Sequence, residues 1–467
     1  MGIRIYNTLT RRKEEFRSLE PGRVGIYVCG PTVWDYMHIG NARPFVFFDV
    51  VRRYLKYRGY TVKYVQNFTD VDDKIIRRAN ELGIDPMAMA EDYIKAYFED
   101  AGALGVTVAD VHPRASQHMD EIIAFIQELI AKGYAYEVDG DVYFSTDRDR
   151  EYGSLSGQSM DELEAGARVE VDERKRAPQD FALWKRQKPG EPAWPSPWGA
   201  GRPGWHIECS AMVRKHLGRT ADIHGGGSDL VFPHHENEAA QSRAANDAPL
   251  ANYWMHNAFL NIDGEKMSKS LGNFVVPREI MRTHRPEALR LFLLSAHYRS
   301  PLNFTEEQLK AAEAALERLY NALASLKQWL AVSPREAVDD DERVVLERLG
   351  AHRERFIEVM DDDFNTADAI AVLFELTRDV HARLGPNSSR DLLKTVIALF
   401  HELGDVLGLL RRDDEGSLDE AVERLIAQRQ EARRRRDWAE ADRIRDELAQ
   451  RGVILEDTPQ GVRWKRK

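Results

Sequence analysis

Cysteine is almost missing from this chain: 467 residues hold two, Cys29 and Cys209. Two thiols so far apart make a poor disulfide framework, which excludes the disulfide-stapled secreted scaffolds and leaves buried, reactive or metal-bound thiols. Long apolar runs are missing too. The opening stretch, MGIRIYNTLTRRKEEF, has no uninterrupted apolar segment of the kind a secretory signal needs, and nowhere do about 18 apolar residues follow one another to cross a bilayer. The expectation is a cytoplasmic protein with no membrane partner. No fixed-period repeat and no low-complexity tract is visible, which excludes solenoids and disordered arrays. An excess of positive charge is also lacking, since 66 Lys and Arg against 77 Asp and Glu leave a formal −11. That sum does not exclude nucleic acid, because binding follows local basic clusters and not the total.

What is present is an ordinary globular composition, 43% hydrophobic and 31% charged, over a length that suits several domains. VGIYVC at 24–29 reads as a strand ending in the turn signal Gly30-Pro31, and apolar residues at helical spacing follow from about Asn41 until Gly59. TVKYVQNFTD at 61–70 reads as a second strand and DDKIIRRANELG at 72–83 as a helix. Alternation of this kind predicts a doubly wound parallel α/β sheet. Between about Pro113 and Trp205 the pattern changes to a helix, a hairpin around YAYEVDGDVYFS, and a loop rich in Pro and Trp, which reads as an insertion splitting the α/β domain. From about Pro277 the chain reads as almost wholly helical, and RRDDEGSLDE at 411–420 as a linker to a small final domain.

Several stretches carry chemistry. The strand-to-helix loop YVCGPTVWDYMHIGNARP lies where open α/β sheets bind anions, with Gly40 allowing close approach and His38 and Asn41 as polar neighbours; such a loop is also an ordinary connection. GEKMSKSLGN, 264–273, puts Lys266 and Lys269 on a loop, where two ammonium groups suit a departing pyrophosphate, although a solvated lysine pair reads the same way. HHENE, 234–238, places His234 and Glu238 at i and i+4, on one face of a helix. With Cys209 and Cys29 they make a set of Zn²⁺ ligand types, yet the spacing matches no compact zinc motif, and a pair of inert buried cysteines remains open. His235 and Glu236 read either as outer neighbours of that set or as surface residues. From Ala421 to the end, 13 Lys and Arg face 9 acidic residues, a local net of +4, with Arg433–Arg436, Trp438 and Trp464 interleaving cations and aromatics as a single-stranded RNA contact requires.

HIGN after the first strand and KMSKS after the last resemble the paired signatures of class I aminoacyl-tRNA synthetases. YVCGPTVWD, NFTDVDDKII, GWHIECSAM, HGGGSDLVFPHHENE and MDDDFNTADA resemble the cysteinyl-tRNA synthetase family in particular, over essentially the whole chain. The resemblance implies a Rossmann-like class I catalytic domain split by an insertion, then an α-helical bundle and a small anticodon-recognition domain. The expected segments are 1–112 and 206–262 for the two catalytic halves, 113–205 for the connective insertion, 263–308 for the KMSKS loop and stem-contact region, 309–412 for the bundle, and 417–467 for the final domain.

The implied reaction is activation of cysteine with ATP, as its Mg²⁺ complex, to cysteinyl-adenylate and pyrophosphate, then transfer to the 3′ end of the cysteine tRNA by a chain expected to be a monomer. The family's site carries over as one Zn²⁺ on Cys29, Cys209, His234 and Glu238; cysteine contacts at Thr69, Trp205 and His224; an ATP site of His38, Gly40, Asn41, Lys266 and Lys269, in which Lys269, Lys266 and His38 are the catalytic residues; and Asp229 for a ribose hydroxyl or the tRNA end. Zinc suits the task because it binds a thiolate far better than serine's hydroxyl, which makes an editing domain unnecessary. One departure is Asn41, where the signature usually has a second histidine; asparagine donates a hydrogen bond but cannot become a cation. A ligase joining cysteine to an aminosugar-inositol and a silent tRNA- or cysteine-binding paralogue are the competing readings.

Overall fold

In RVGIYV, residues 23–28, Val24, Ile26, Tyr27 and Val28 are all buried, the mark of a strand covered on both faces. The computed structural model describes residues 2–158, 174–267, 273–411, 416–435, 437–450, 453–458 and 461–466. After a hairpin of β1 (Arg4–Asn7) and β2 (Arg12–Glu15), this strand is β3 (Arg23–Val28). It leads into α1 (Ile39–Tyr57), which His38 caps and whose central residues from Ala42 to Arg52 are buried without a break, and then into β4 (Thr61–Gln66). Helices α2 (Asp73–Leu82), α3 (Pro86–Ala103) and α4 (Met119–Ala131) follow. The Asp72 carboxylate caps α2 by accepting from Lys74 N, and Gly83, at φ 67°, ends it.

The stretch read as an insertion holds an antiparallel four-stranded sheet, in the order β5 (Ala135–Val138), β6 (Asp141–Phe144), β7 (Phe181–Arg186), β8 (Gly201–Pro203). The last strand lies in the Pro- and Trp-rich segment that the sequence reads as loop. Its register with β7 and the burial of Arg202 against Asp73 and Glu191 hold it straight. Then come α5 (Trp205–Leu217), β9 (Ala221–Gly227), α6 (Glu236–Asn246) and β10 (Ala251–Asn257). The central sheet has the order β10-β9-β3-β4, with every pairing parallel. Because β3 has its sequence neighbour β4 on one side and β9 on the other, a crevice opens at the carboxyl ends of β3 and β9, where doubly wound sheets place their ligands.

Beyond it a small sheet joins β11 (Leu260–Ile262) to β12 (Glu265–Lys266) and to β13 (Leu302–Phe304), so the region after Pro277 contains a strand as well as helices. The helices are α7 (Pro277–Ile280), α8 (Pro286–Leu294), α9 (Glu306–Val332), α10 (Asp340–Asp361), α11 (Thr366–Arg383) and α12 (Arg390–Leu407). In α9, Leu309, Ala312, Leu316, Leu319, Leu323 and Leu326 recur at three- and four-residue intervals and are buried.

The chain divides into two compact units, Met1–Leu409 and Leu410–Lys467. The second is a helix pair, α13 (Gly416–Arg434) and α14 (Trp438–Gln450), followed by an antiparallel hairpin of β14 (Val453–Thr458) and β15 (Gly461–Arg466). Among the described residues no helix is long and apolar enough to cross a membrane.

Candidate active site and metal centre

The chain leaves β3 at Cys29, whose N–H donates to Gly225 O of β9 at 3.1 Å, pinning the residue at the crevice between the two strands. Gly30 N donates to Asn67 Oδ1 at 2.8 Å, and a Cβ at position 30 would run into the Asn67 carbonyl, so only glycine lets the loop pass. His38 then caps α1, its Nδ1 accepting from Asn41 N at 3.1 Å. With Nδ1 used as acceptor, a neutral ring carries its proton on Nε2. The backbone on the far side of 268–272 returns beneath this turn: Val275 O accepts from Ile39 N at 2.9 Å and Phe274 meets the His38 ring edge-on at 4.9 Å. On the near side, the Met267 methyl crowds Gly40. One cavity of about 480 Å³ has Cys29, His38, Gly40, Asn41, Trp205 and Asp229 in its wall, with Asn257, Phe259 and Met267 on the same lining.

Beneath this cavity Cys29, Cys209, His234 and Glu238 are all buried, and their ligand atoms lie within 4.8 Å of one another. The two sulfurs are 3.8 Å apart, Glu238 Oε1 is 3.5 Å from Cys29 Sγ, and His234 Nε2 is 2.8 Å from Glu238 Oε1. Cys209 comes from α5, His234 from the wide helical turn Val231–His235, and Glu238 from the first turn of α6. The Trp205 ring, in the cavity wall, stacks on His234 at 4.3 Å and joins the two parts of the site. Cys29, His224, His235 and Glu238 form a second, overlapping group of the same reach. His235, however, is engaged on both sides: Nε2 lies 3.3 Å from Cys29 Sγ, and Nδ1 lies 2.7 Å from His256 Nε2, whose other nitrogen meets Thr8 Oγ1 at 2.7 Å.

Electrostatically the cluster is unsatisfied by protein alone. Burial, then the neighbouring Cys209 and Glu238, push the Cys29 thiol well up, and burial pushes the Glu238 carboxyl well up. Burial also raises Cys209, but its bonds to Cys29 and His234 bring it down to about 7. Glu238 Oε2 has no hydrogen-bond partner, although His224 Nε2 is 3.3 Å away. Two thiols, an imidazole and a carboxylate with an orphaned oxygen, all buried, fit a divalent cation that favours sulfur and nitrogen ligands.

Residues 15–314 match the model of the class I (C) tRNA synthetase catalytic domain, 355–411 the DALR domain, and 415–464 the cysteinyl-tRNA ligase anticodon-binding domain. A cysteine–tRNA ligase of Symbiobacterium thermophilum is 59% identical over 470 residues, covering the whole of both chains. The chain belongs to the cysteinyl-tRNA synthetase family. Its fold is that of class I synthetases generally. A Mycobacterium tuberculosis methionyl-tRNA synthetase bound to methionyl-adenylate superposes with a TM-score of 0.58 at 15% identity, covering 82% of this chain and 89% of that one. A putative arginyl-tRNA synthetase of Campylobacter jejuni gives 0.57 at 13%, covering 84% and 93%.

Within the family's site not every expected residue faces the cavity. Thr69 and His224 are buried and turned inward. Thr69 Oγ1 donates to Glu208 Oε2 at 3.0 Å, and His224 stacks on Tyr27 with Nε2 3.5 Å from Cys29 Sγ. Asp229 is exposed at the rim. Lys266 belongs to β12, and Lys269 lies outside the described residues. Of the two readings of His235 and Glu236, the surface one is wrong, because both are fully buried. Sequence reasoning missed Thr8, His256 and Glu208. Nothing in their local pattern marks them, since the groups they touch come from distant strands. In the second unit Trp438 is 59% exposed beside Arg433–Arg435, and backbone pairing sets Trp464 opposite Leu455; Arg436 lies outside the described residues.

Proposed function

We propose that the chain activates cysteine with ATP and passes it to the 3′ end of a cysteine tRNA, reading the substrate's thiol with one Zn²⁺ on Cys29, Cys209, His234 and Glu238. The observation that carries this reading is the convergence of two different chemistries on one 480 Å³ cavity: a sulfur-rich cation cluster at its floor and an anion-binding helix start at its side. Bound there, zinc would supply a Lewis acid that accepts a thiolate and holds a hydroxyl poorly. Such a pocket discriminates by a bond that serine cannot match, a larger effect than the ~1–3 kcal/mol available from one methylene.

The protein's own groups do the rest. Trp205 holds the His234 ring in place by stacking, while Thr69 and His224 shape the pocket from beneath. The N-terminus of α1, with His38 and the Asn41 side-chain amide, receives the phosphates of ATP and its Mg²⁺. A cysteine carboxylate oxygen attacks the α-phosphorus, the bond to the β-phosphate oxygen breaks, and pyrophosphate leaves against Lys266 and Lys269, whose ammonium groups balance the charge developing on it. A hydroxyl of the terminal ribose, held by Asp229, then attacks the acyl carbon and AMP departs. The second unit reads the anticodon, and the chain works as a cytoplasmic monomer.

The test is acceptor choice. With cysteine and ATP, the purified chain should form cysteinyl-tRNA on unfractionated tRNA and leave an aminosugar-inositol untouched; the reverse pattern would overturn the tRNA assignment.

A further inference from the structure

MDDDFNTADA has no part in the reaction described so far, yet it holds a strained stretch of backbone. Asp363 and Phe364 are consecutive non-glycine residues in the left-handed region, at φ 69° and 50°. A bulky aromatic seldom adopts that conformation, and it persists only where the surroundings over-determine it. Here they do. Phe364 is fully buried edge-on to Tyr54 of α1 at 6.0 Å. The Asp363 carboxylate, also fully buried, accepts at Oδ1 from Tyr6 N and from the Tyr298 hydroxyl, both at 2.8 Å, and at Oδ2 from Arg299 Nε at 2.7 Å.

From Asp363 a continuous path of contacts leads to the cleft. Tyr298 stacks on Phe47 of α1 at 4.3 Å, and its carbonyl accepts from Ala258 N at 2.8 Å. Arg43, two residues after Asn41 on the same helix, is 1% exposed, and its guanidinium hydrogen-bonds four backbone carbonyls. One nitrogen donates to Ala258 O at 2.8 Å and Phe259 O at 3.3 Å; the other donates to His297 O at 3.1 Å and Ser300 O at 2.7 Å. Ala258 and Phe259 line the cavity, and the turn at 297–300 is the part that Asp363 holds from the helical side.

We propose that Asp363 is a positioning residue for adenylate formation: by fixing Tyr298 and Arg299 it sets the 258–259 connection between β10 and β11 against α1, and with it the width of the cleft. The inference rests on the cysteine-activation reading above. A carboxylate suits the position because it accepts from three donors at once, one of them a guanidinium, where a neutral amide turns an N–H toward Arg299. Geometry of this kind matters because small displacements of reacting groups lower rates steeply.

The test uses the full chain with its metal and two near-isosteric changes. Asp363→Asn removes the charge, and Tyr298→Phe removes only the hydroxyl while keeping the stack on Phe47. Active sites are counted by adenylate burst, and turnover per active site is followed in cysteine-dependent ATP–pyrophosphate exchange. Asp363→Asn should lower kcat per site about tenfold or more, with the cysteine KM and zinc content within about twofold of the parent. Tyr298→Phe should act in the same direction, and the double variant should fall short of the product of the two. Fewer active sites or a lower Tm with unchanged turnover per site would mean a purely structural role and overturn the proposal. If the parent chain shows no exchange, the activation reading fails and takes the proposal with it; parent exchange with normal turnover in Asp363→Asn overturns the proposal alone.

Discussion

At the scale of single residues, the site depends on a few atoms that tolerate no substitute. In the proposed zinc site, Cys209→Ser replaces a thiolate ligand by a hydroxyl while leaving the side-chain volume almost unchanged. Bound zinc should fall from about one per chain to well below half, measured by metal analysis after dialysis, together with a loss of cysteine-over-serine preference. Gly30→Ala drives a methyl into the Asn67 carbonyl and should cost about 1–3 kcal/mol in chemical denaturation, with weaker zinc retention because Cys29 shifts with its neighbour. The residues legible beforehand were those whose side-chain type is rare or chemically marked: two cysteines in a long chain and HHENE. His256 and Thr8 were not legible, because their importance lies in a hydrogen-bonded row to His235 that exists only once β10 and the N-terminal hairpin lie side by side.

At the scale of elements, the strand β3, the loop to His38 and the helix α1 form one device that carries Cys29 to the floor of the cleft and the helix start to its wall. The backbone that follows 268–272 returns to that helix start at Phe274 and Val275, and the proposed function gives the two lysines of 264–273 the departing pyrophosphate. Lys269→Ala should therefore depress adenylate formation by about 10²-fold or more while leaving cysteine binding by calorimetry near its parent value; an equal loss of both would mean that the lysine is structural. Alternating elements were readable here because β3 is buried on both faces and α1 has helical spacing, signals that sit inside each segment. β8 was not, because three residues in a Pro-rich stretch become a strand only through pairing with β7 and through the ion pairs of Arg202. The inward turn of Thr69 and His224 escaped for the same reason: the resemblance names the residue but does not say which way the packing points it.

At the scale of the whole molecule, the catalytic-domain match at 15–314 lies in the first compact unit and the anticodon-binding-domain match at 415–464 in the second, with the boundary at Leu409–Leu410. Removing residues 417–467 should spare ATP–pyrophosphate exchange and lower the rate of tRNA charging by about tenfold or more, with a shallower dependence of charging on salt as phosphate contacts are lost. Charging at the parent rate would refute an anticodon role for that unit. The acidic total of −11 gives no hint of this, since the +4 of the last 47 residues is local. The measurement that tests the account most directly is cysteine-dependent ATP–pyrophosphate exchange on the purified full chain, with zinc content determined on the same sample and serine as the competing substrate. Exchange with cysteine, little or none with serine, and about one zinc per chain that must be present for the reaction is the predicted result. Exchange that survives complete removal of zinc, or that serine supports equally, would contradict it.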